Sequence, residues 1–437
     1  MHRRKFLAAT AFSALATSAM ADDDKKSSSR SGSTSTTTAV VPASTTVKAR
    51  VIVIGGGMAG TTVAKYLRLW GDGIEVTLVE RMPTYTSNIM SSLVLTGQRT
   101  MASLTYKYDT LRSKYGVTTV FGEVVAVDPV NATVTLADKT VLKADRIVMA
   151  PGITFDTVPG LGTSDKMPHA WTAGPQTTLL ASQLNTMRPG GVAVLTIPKT
   201  PYRCPPGPYE RACLVADWLR VKKPGSKLIV LDANSDIVTE KDNFTNAFLG
   251  IHGNVIEYHN NAEVLSVDAS TMTLYTNGGG TFKGDVVNMI PRQRAGGLIA
   301  ATGLNNATEG RFAGVNVLSY ASTTPGASKV HIIGDSSATT QPKAGHVANQ
   351  EAKVCADALT RILAGGSPDS APVTNSACFS TITTTQASWL HAMYQYDPVS
   401  GTMVAVPAAT GASVGWNTES FKDMGKWFGA LMADTFA

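Results

Sequence analysis

Apolar runs without strict alternation mark the predicted strands of this chain. The run 51–54 is followed by glycines and then by residues 61–70, in which apolar side chains recur at helical spacing. Residues 75–80 form a second, largely apolar run that ends in an acid, Glu80. Continuous apolar runs are typical of parallel strands buried on both faces, so this segment predicts a strand–helix–strand unit.

The same design occurs a second time farther along the chain. Residues 191–197 predict a strand, 211–221 a helix and 227–232 the next strand. Two more runs that predict strands are 145–150 and 330–335, and residues 284–291 are expected to return the chain to the first domain. Two such units predict an α/β fold with two Rossmann-like, dinucleotide-binding-type domains.

The turn of the first unit carries the glycine spacing of a dinucleotide site. It consists of Gly55, Gly56, Gly57, Met58, Ala59 and Gly60, and the following strand ends at Glu80 and Arg81. Glycines permit a tight turn and let a pyrophosphate approach the helix N-terminus, while Glu80 can accept hydrogen bonds from a ribose diol. An acid at this position also repels a 2′-phosphate. We expect these residues to bind a dinucleotide; the alternative is an ordinary glycine-rich turn.

Two later segments indicate a flavin. Pro151-Gly152 follows one predicted strand, and Asp335 ends another, ahead of a helix predicted over 345–363. Together they resemble the three-part FAD signature of the glutathione-reductase-like superfamily. The resemblance implies that Asp335 binds the ribitol chain and that the helix start at Gly345 and His346 points at the flavin ring, where its partial positive charge stabilises reduced flavin. A solvated turn residue is the alternative for Asp335.

The second unit lacks a glycine turn. Its first strand leads into residues 201–211, a proline-stiffened loop that contains Cys204. Prolines remove backbone N–H donors and add bulk, so a pyrophosphate cannot approach this helix start closely. The sequence therefore predicts one dinucleotide site and no site for NAD(P)H.

The order of these segments predicts six regions. They are a leader (1–21), a Ser/Thr-rich disordered linker (22–47), the first part of the FAD-binding domain (48–160), a second Rossmann-like domain without a nucleotide turn (161–284), the second part of the FAD-binding domain (285–365) and a C-terminal interface or flavin-covering domain (366–437). Aromatic residues of the last region favour a core or a subunit interface over a ligand site.

The leader predicts export to the bacterial periplasm. Arg3 and Arg4 form a twin-arginine pattern, which precedes a short apolar stretch and an Ala19-Met20-Ala21 cleavage signal. That stretch is too short for stable membrane insertion. The formal net charge is +6, three positive charges lie in the leader, and no basic stripe carries interleaved aromatics, so we expect no nucleic acid partner.

Four segments resemble the flavoprotein subunit of flavocytochrome c sulfide dehydrogenase. These segments are 168–171, 204–211, 290–296 and 342–349, and the resemblance extends from about Arg50 to the last residues. It implies a periplasmic FAD enzyme that oxidises sulfide and passes the electrons to a c-type cytochrome subunit. The chain contains no Cys-x-x-Cys-His, so we expect it to attach no c-type haem itself.

The chain departs from that family at two positions. The resemblance implies a redox-active disulfide between a cysteine matching Cys204 and one just after the Gly-Asp pair, but Ser337 stands at the second place. A hydroxyl cannot exchange with a thiolate, so this departure would interrupt the covalent route from sulfide to flavin. The family's flavin-linking cysteine is also missing from residues 85–90, so we expect noncovalent FAD.

Cys204, Glu210 and Ser337 are therefore the candidate catalytic residues. Cys204 precedes a helix start, which predicts a lowered thiol pKa. Glu210 matches the family's proposed acid or base, or else is a solvated first-turn glutamate. Four cysteines allow three complete pairings, and the apolar surroundings of Cys213 and Cys355 favour inert thiols. Lys343 and His346 are candidates for stabilising reduced flavin, with a surface role as the alternative.

Three hypotheses for function remain open at this point. The first is a dehydrogenase for sulfide or another small reduced sulfur compound. The second is a FAD dehydrogenase for a non-sulfur donor, and the third is a FAD-containing, noncatalytic subunit that binds a cytochrome. The scattered histidines match no metal-ligand spacing, so we expect no metal site.

Overall fold

The computed structural model describes residue 41, residues 46–163 and residues 165–437. The expected leader and nearly all of the expected linker lie outside the described residues. The α-helices in the described part are α1 (Met58–Trp70), α2 (Ser92–Leu95), α3 (Asp109–Tyr115), α4 (Pro175–Thr186), α5 (Gly207–Lys222), α6 (Lys241–Asn246), α7 (Gly297–Ala301), α8 (Gly345–Leu363) and α9 (Thr418–Phe436).

The strands fall into four successive groups. The first group is β1 (Ala49–Ile54), β2 (Ile74–Glu80), β3 (Thr84–Thr86), β4 (Thr105–Lys107), β5 (Thr118–Phe121), β6 (Val124–Asp128), β7 (Thr133–Leu136), β8 (Val141–Lys143), β9 (Arg146–Met149) and β10 (Ile153–Phe155). The second is β11 (Val192–Ile197), β12 (Lys227–Asp232), β13 (Ile256–His259), β14 (Val264–Asp268), β15 (Thr273–Thr276), β16 (Thr281–Lys283), β17 (Val286–Asn288) and β18 (Gln293–Ala295). The third is β19 (Ala313–Asn316), β20 (Ala321–Ser322), β21 (Val330–Ile332) and β22 (Ser337–Ala338). The last is β23 (Val373–Thr381), β24 (Ala387–Asp397), β25 (Thr402–Ala405) and β26 (Gly411–Ala412).

The first unit is built on an eight-stranded sheet with the order β22-β19-β20-β21-β9-β1-β2-β5. Strand β1 pairs in parallel with both β2 and β9, as the apolar run predicted. Val53 and Val148 at its centre are fully buried, because helices cover the sheet. Helix α1 packs beside α8 over this sheet, and α8 has the bounds that the sequence predicted.

The second unit repeats the design with a smaller sheet. Strands β13, β12, β11 and β17 are all parallel, and α5 packs against β11 and β12. The sequence placed the start of α5 at residue 211, but the helix begins at Gly207, because a proline at the first positions fits the helical backbone. A three-stranded antiparallel sheet accompanies each unit, β6-β7-β8 in the first and β14-β15-β16 in the second.

The last part of the chain forms an antiparallel sheet and a long helix. Strand β24 pairs with β23, β25 and β26, and α9 packs against β24 and α1. Phe428 of α9 is buried in the core of the first unit, and Trp427 packs against the same core. This placement agrees with the predicted core role of these two aromatic residues.

Candidate functional site

The glycine turn after β1 is shaped for a close ligand. A Cβ atom at Gly60 would lie 1.7 Å from the carbonyl oxygen of Gly55, so no larger residue fits between turn and helix. At Gly57 the nearest atom to such a Cβ is 3.8 Å away, on the ring of Tyr85. The turn is therefore closed on its packed side and open beside Gly57, where the sequence expects the pyrophosphate.

Glu80 lies against this turn at the end of β2. One of its carboxylate oxygens accepts a 2.6 Å hydrogen bond from the backbone N–H of Gly56, and the other accepts from the N–H of Met82. These bonds orient the carboxylate and leave lone pairs for a ribose diol. Arg81, the other expected binding residue, is exposed beside it.

The three expected flavin-binding segments meet at one edge of the first sheet. Pro151 and Gly152 follow β9, and the carbonyl of Gly152 accepts hydrogen bonds from the Ser336 hydroxyl and the Gly296 N–H. Asp335 follows β21 in the same place, next to Ser336. The carboxyl ends of neighbouring parallel strands thus gather the residues that the sequence singled out.

Asp335 has an unsatisfied atom. Its buried Oδ1 has no hydrogen-bond partner among the described residues. Burial raises the pKa of Asp335, and the nearby cations Arg203 and Lys343 oppose that rise. A buried polar atom without a partner is costly, so this oxygen indicates a ligand hydroxyl. Together with the open side of the turn at Gly57, it fits the ribitol and pyrophosphate of FAD.

Helix α8 begins at Gly345 beside the same site, and no side chain caps its N-terminus. His346 is not at the surface: its Nδ1 accepts a 3.0 Å hydrogen bond from the N–H of Ala377. Burial lowers the pKa of His346 to about 4, so the imidazole is neutral at pH 7. Positive charge for stabilising reduced flavin can therefore come from the helix N-terminus and from the two cations beside Asp335, Arg203 and Lys343.

Cys204 lies in the proline-rich loop with a left-handed backbone, φ +60°. Its N–H donates a 2.6 Å hydrogen bond to the carbonyl of Lys343. The loop is also held by Trp171, whose ring N–H donates to the carbonyl of Arg203 and whose face lies under the Arg211 guanidinium. The geometry of this loop thus depends on contacts with segments 168–171 and 342–349, which the sequence analysis named beside it.

The expectation of a lowered pKa for Cys204 is wrong. Burial and the neighbouring Glu210 carboxylate raise the pKa of this thiol to about 12. Arg203 and the N–H of Gly207 at the helix start do lower it, as predicted, but burial outweighs them. Cys204 is therefore a neutral thiol when reduced, or a partner in a disulfide when oxidised.

Cys378 is the residue that the sequence analysis missed. It lies on β23, half-buried, and its pKa is raised first by burial and next by charge on Cys204, followed by Glu240 and Glu210. The two thiols therefore lie within electrostatic reach of each other. Both are free thiols in this structure, as are the fully buried Cys213 and Cys355. No local motif marks Cys378, because its proximity to Cys204 arises only when β23 packs on α5.

The hydroxyl of Ser337, the expected partner position of Cys204, bonds to Gly334 and Glu351. This buried hydroxyl donates a 2.8 Å hydrogen bond to the carbonyl of Gly334 and lies 3.4 Å from the Glu351 carboxylate. The contacts of this hydroxyl thus join the turn after β21 to helix α8. The sequence left open whether Cys204 has a thiol partner, and the structure brings Cys378 within electrostatic reach of it.

Glu210 is not a solvated first-turn residue. Its carboxylate is half-buried and accepts a 3.0 Å hydrogen bond from the hydroxyl of Thr381 on β23. Burial raises the pKa of Glu210 to about 7, against the hydrogen bonds from Thr381 and the charge of Arg211. A carboxyl that titrates near neutral pH, close to both thiols, is suited to proton transfer.

The corresponding edge of the second unit is filled by protein groups. Asp232 ends β12, where a ribose-binding acid would stand, and its carboxylate accepts hydrogen bonds from the hydroxyls of Tyr209 (2.6 Å) and Tyr258 (2.9 Å). Asn234 bonds to the other carboxylate oxygen. Within the described part of the chain, no group of three metal-ligating side chains occurs and no helix is long and apolar enough to cross a bilayer.

Three family models match the chain. One for the central part of the flavoprotein chain of sulfide dehydrogenase (flavocytochrome c) matches residues 177–291. One for the flavin-binding part of flavocytochrome c sulphide dehydrogenase matches 370–436, and one for pyridine nucleotide-disulphide oxidoreductases matches 49–179. These matches support FAD as the cofactor, as the sequence predicted.

Solved structures confirm the fold class. The sulfide:quinone oxidoreductase of Aquifex aeolicus superposes with a TM-score of 0.70 at 16% identity, covering 88% of this chain and 91% of that one. A NAD-dependent persulfide reductase from A. fulgidus gives 0.58 at 14% identity, covering 88% and 77%. At these identities the likeness shows the α/β fold with two Rossmann-like domains.

Proposed function

We propose that this chain, which belongs to the family of the flavocytochrome c sulfide dehydrogenase flavoprotein chain and binds FAD, oxidises sulfide and passes the electrons to a c-type cytochrome subunit in the bacterial periplasm. One observation carries the proposal: the Cys204 thiol lies within electrostatic reach of the Cys378 thiol, of Glu210 on α5 and of Asp335 at the expected FAD site. Such a thiol pair can pass electrons from a sulfur nucleophile to a flavin.

The reaction starts from the oxidised pair, a Cys204–Cys378 disulfide. Hydrosulfide attacks one sulfur, forms a persulfide there and releases the other cysteine as a thiolate. A second hydrosulfide takes the outer sulfur away as hydrodisulfide, leaving two reduced cysteines and one proton. Bound FAD supplies an acceptor for two electrons, and the loss of those electrons restores the disulfide. Two hydrosulfides thus give one hydrodisulfide, two electrons and one proton.

Glu210 is placed to handle that proton. Because its pKa is about 7, the carboxyl can both take and return a proton near neutral pH. Its negative charge also raises the pKa of Cys204, so ionised Glu210 disfavours a free thiolate there. Protonation of Glu210 and release of a thiolate are therefore coupled, which ties proton uptake to the opening of the disulfide.

Features of the second unit and of the leader support a cytochrome as the electron acceptor. Tyr209 and Tyr258 fill the hydrogen-bonding positions of Asp232, which supports an acceptor other than NAD(P). The twin-arginine pattern supports export of a folded, FAD-loaded protein. Since the chain carries no haem attachment motif, the haem belongs to a separate subunit.

The test is anaerobic mixing of the FAD-loaded protein with sulfide, followed by flavin absorbance. We expect rapid bleaching in the wild type, loss of it in Cys204→Ala and Cys378→Ala, and no change in the control Cys355→Ala, whose thiol is buried in the core. Bleaching that persists without Cys204, or a wild-type flavin that sulfide does not reduce, would refute the proposal. A non-sulfur donor that bleaches all variants equally would favour the second hypothesis.

A separate measurement tests the acceptor. Flavin reduced under anaerobic conditions should be reoxidised within seconds by a diheme or monoheme c-type cytochrome and not by NAD⁺. Reoxidation by NAD⁺ alone would overturn the assignment of the acceptor without touching the role of the thiols.

A further inference from the structure

A second partly buried carboxyl, that of Glu240, lies within electrostatic reach of Glu210. Glu240 precedes α6 with a left-handed backbone, φ +46°. Its two carboxylate oxygens each accept a 2.6 Å hydrogen bond, one from the hydroxyl of Ser380 on β23 and the other from the hydroxyl of Ser388 on β24. Ser380 and Ser388 face each other in the β23–β24 pairing, so one carboxylate ties both strands to the second unit.

This attachment lies next to the thiol pair. Ser380 is two residues from Cys378, so both side chains lie on one face of β23. Thr381, the next residue, donates to Glu210. Two glutamates of the second unit therefore hold consecutive residues of the strand that carries Cys378.

Buried carboxylates need such donors. Ser380 and Ser388 are fully buried, and burial raises the pKa of Glu240 against their hydrogen bonds. The charge of Glu240 in turn raises the pKa values of Glu210, Cys378 and Cys213, the titratable groups that face it from α5 and β23. The nearby Lys241 is paired with Asp236 at the surface and does not neutralise this charge.

We propose that Glu240 is a positioning residue for the thiol chemistry: it fixes the strand bearing Cys378 through Ser380 and Ser388, and it places a negative charge near Glu210. This inference rests on the proposed function. The carboxylate of Glu240 is engaged by Ser380 and Ser388. It acts on the reaction through Glu210 and through the placement of Cys378.

The chain offers a matched control in Asp217. This carboxylate anchors the same hairpin, because it accepts hydrogen bonds from the N–H and hydroxyl of Thr384. It lies seven residues after Glu210 on α5, about 10 Å along the helix at 1.5 Å per residue. Asp217→Asn therefore perturbs the anchoring of the hairpin with little effect on the charge beside Glu210.

The experiment compares Glu240→Gln, Asp217→Asn and the wild type by the pH dependence of flavin reduction by sulfide. We expect Glu240→Gln to move the limb assigned to Glu210 to lower pH by about 0.5–1 unit, because a like charge has been removed. Asp217→Asn should leave that limb in place. An unshifted limb in Glu240→Gln, or an equal shift in both variants, would overturn the proposal.

A second measurement does not depend on turnover. Alkylation of Cys378 in the reduced protein, followed by mass spectrometry, reports its thiolate fraction at each pH. Glu240→Gln should be labelled several-fold faster than the wild type at equal pH, and Asp217→Asn at the wild-type rate. A wild-type protein whose flavin is not reduced by sulfide would defeat the proposed function, whereas equal labelling of all three proteins would defeat the role of Glu240.

Discussion

The backbone N–H of Cys204 donates a 2.6 Å hydrogen bond to the carbonyl of Lys343, which joins the two α/β units at the candidate site. Lys343 lies two residues before α8, so this bond fixes the thiol loop beside the helix start that is expected to point at the flavin. The Lys343 ammonium donates to the carbonyl of Ser337 and lies 3.9 Å from the centre of the Phe312 ring. One residue thus links the loop of Cys204 with the turn that follows β21.

The backbone of Cys204 predicts a stability difference between two inactive variants. A non-glycine residue at φ +60° carries a steric cost of about 1–2 kcal/mol that glycine does not have. Cys204→Ala keeps this cost and Cys204→Gly removes it. We expect the glycine variant to be the more stable of the two by about 1 kcal/mol in denaturant unfolding, with sulfide-driven flavin reduction lost in both. Equal stability would show that the loop relaxes.

Glu210 predicts a pH-dependent stability difference. Its pKa is about 7 in the folded protein, against 4.5 for an ordinary glutamate, so the folded state holds this proton more tightly. Below pH 4.5 both states hold the proton, and the group does not change the free energy of unfolding. Between pH 4.5 and 7 the unfolded state releases the proton that the folded state keeps, so the free energy of unfolding of the wild type falls as pH rises. Glu210→Gln cannot ionise. Its free energy of unfolding should therefore increase relative to that of the wild type, by up to about 3 kcal/mol, as pH rises through this window.

Unfolding free energies of the two proteins at several pH values check this expectation. A difference that stays constant from pH 4 to 8 would contradict the raised pKa. Flavin reduction by sulfide should be slow in Glu210→Gln at every pH, since the amide cannot take up the proton.

The glycine turn predicts different outcomes at two neighbouring positions. A methyl group at Gly60 would meet the Gly55 carbonyl at 1.7 Å, so Gly60→Ala should lose both stability and FAD. A methyl group at Gly57 meets only open space within 3.8 Å, so Gly57→Ala should keep the stability of the apoprotein. It should nevertheless bind FAD more weakly, because the pyrophosphate needs that space. Thermal unfolding without FAD and FAD titration separate the two effects, and normal FAD affinity in Gly57→Ala would place the pyrophosphate elsewhere.

The sequence predicted local units well and long-range contacts poorly. Strands β1, β2 and β12 and helix α8 were predictable because each carries its own apolar period and its own turn. Asp335 was predictable because it directly follows a strand of the main sheet. Cys378 and Glu240 were not, since their partners lie on elements far away in the sequence and no spacing relates them.

The direction of the shift in the pKa of Cys204 shows a related difficulty. A helix start and a neighbouring arginine are visible in the sequence, and both lower the pKa of a thiol. Burial is decided by packing: a Cβ atom at Gly207 would lie 2.8 Å from the Cys204 sulfur and 2.9 Å from the Trp171 ring, so the space around the thiol is filled. Desolvation of the Cys204 thiol then raises its pKa by more than Arg203 and the helix start lower it. The extent of that burial cannot be read from a sequence pattern.

The mode of flavin attachment is also testable. Tyr85 stands in the segment where the resemblance implies a flavin-linking cysteine, and its ring is stacked on Phe436 at 5.1 Å between centroids. Tyr85 has no thiol that could form a covalent link to the flavin. Burial also raises the pKa of its phenol to about 12, so the phenol stays neutral. Acid precipitation should therefore release all of the FAD into the supernatant. Flavin that remains with the denatured protein would refute noncovalent binding.

The filled edge of the second unit gives the last prediction. Asp232 is fully buried, and one of its carboxylate oxygens accepts a 2.6 Å hydrogen bond from Tyr209, whose side chain is also fully buried. Tyr209→Phe leaves this oxygen with the Tyr258 hydroxyl alone and should cost about 1–3 kcal/mol of the free energy of unfolding. Tyr258→Phe is the matched control: its side chain is only half-buried, so water can replace the lost donor and the cost should be smaller. Denaturant titration of the three proteins measures both values, and equal costs would mean that water reaches Asp232 from either side. We expect NADH to leave the melting temperatures of the wild type and both variants unchanged. In each variant Asn234 and the remaining tyrosine still occupy the carboxylate oxygens of Asp232 that a ribose diol would need.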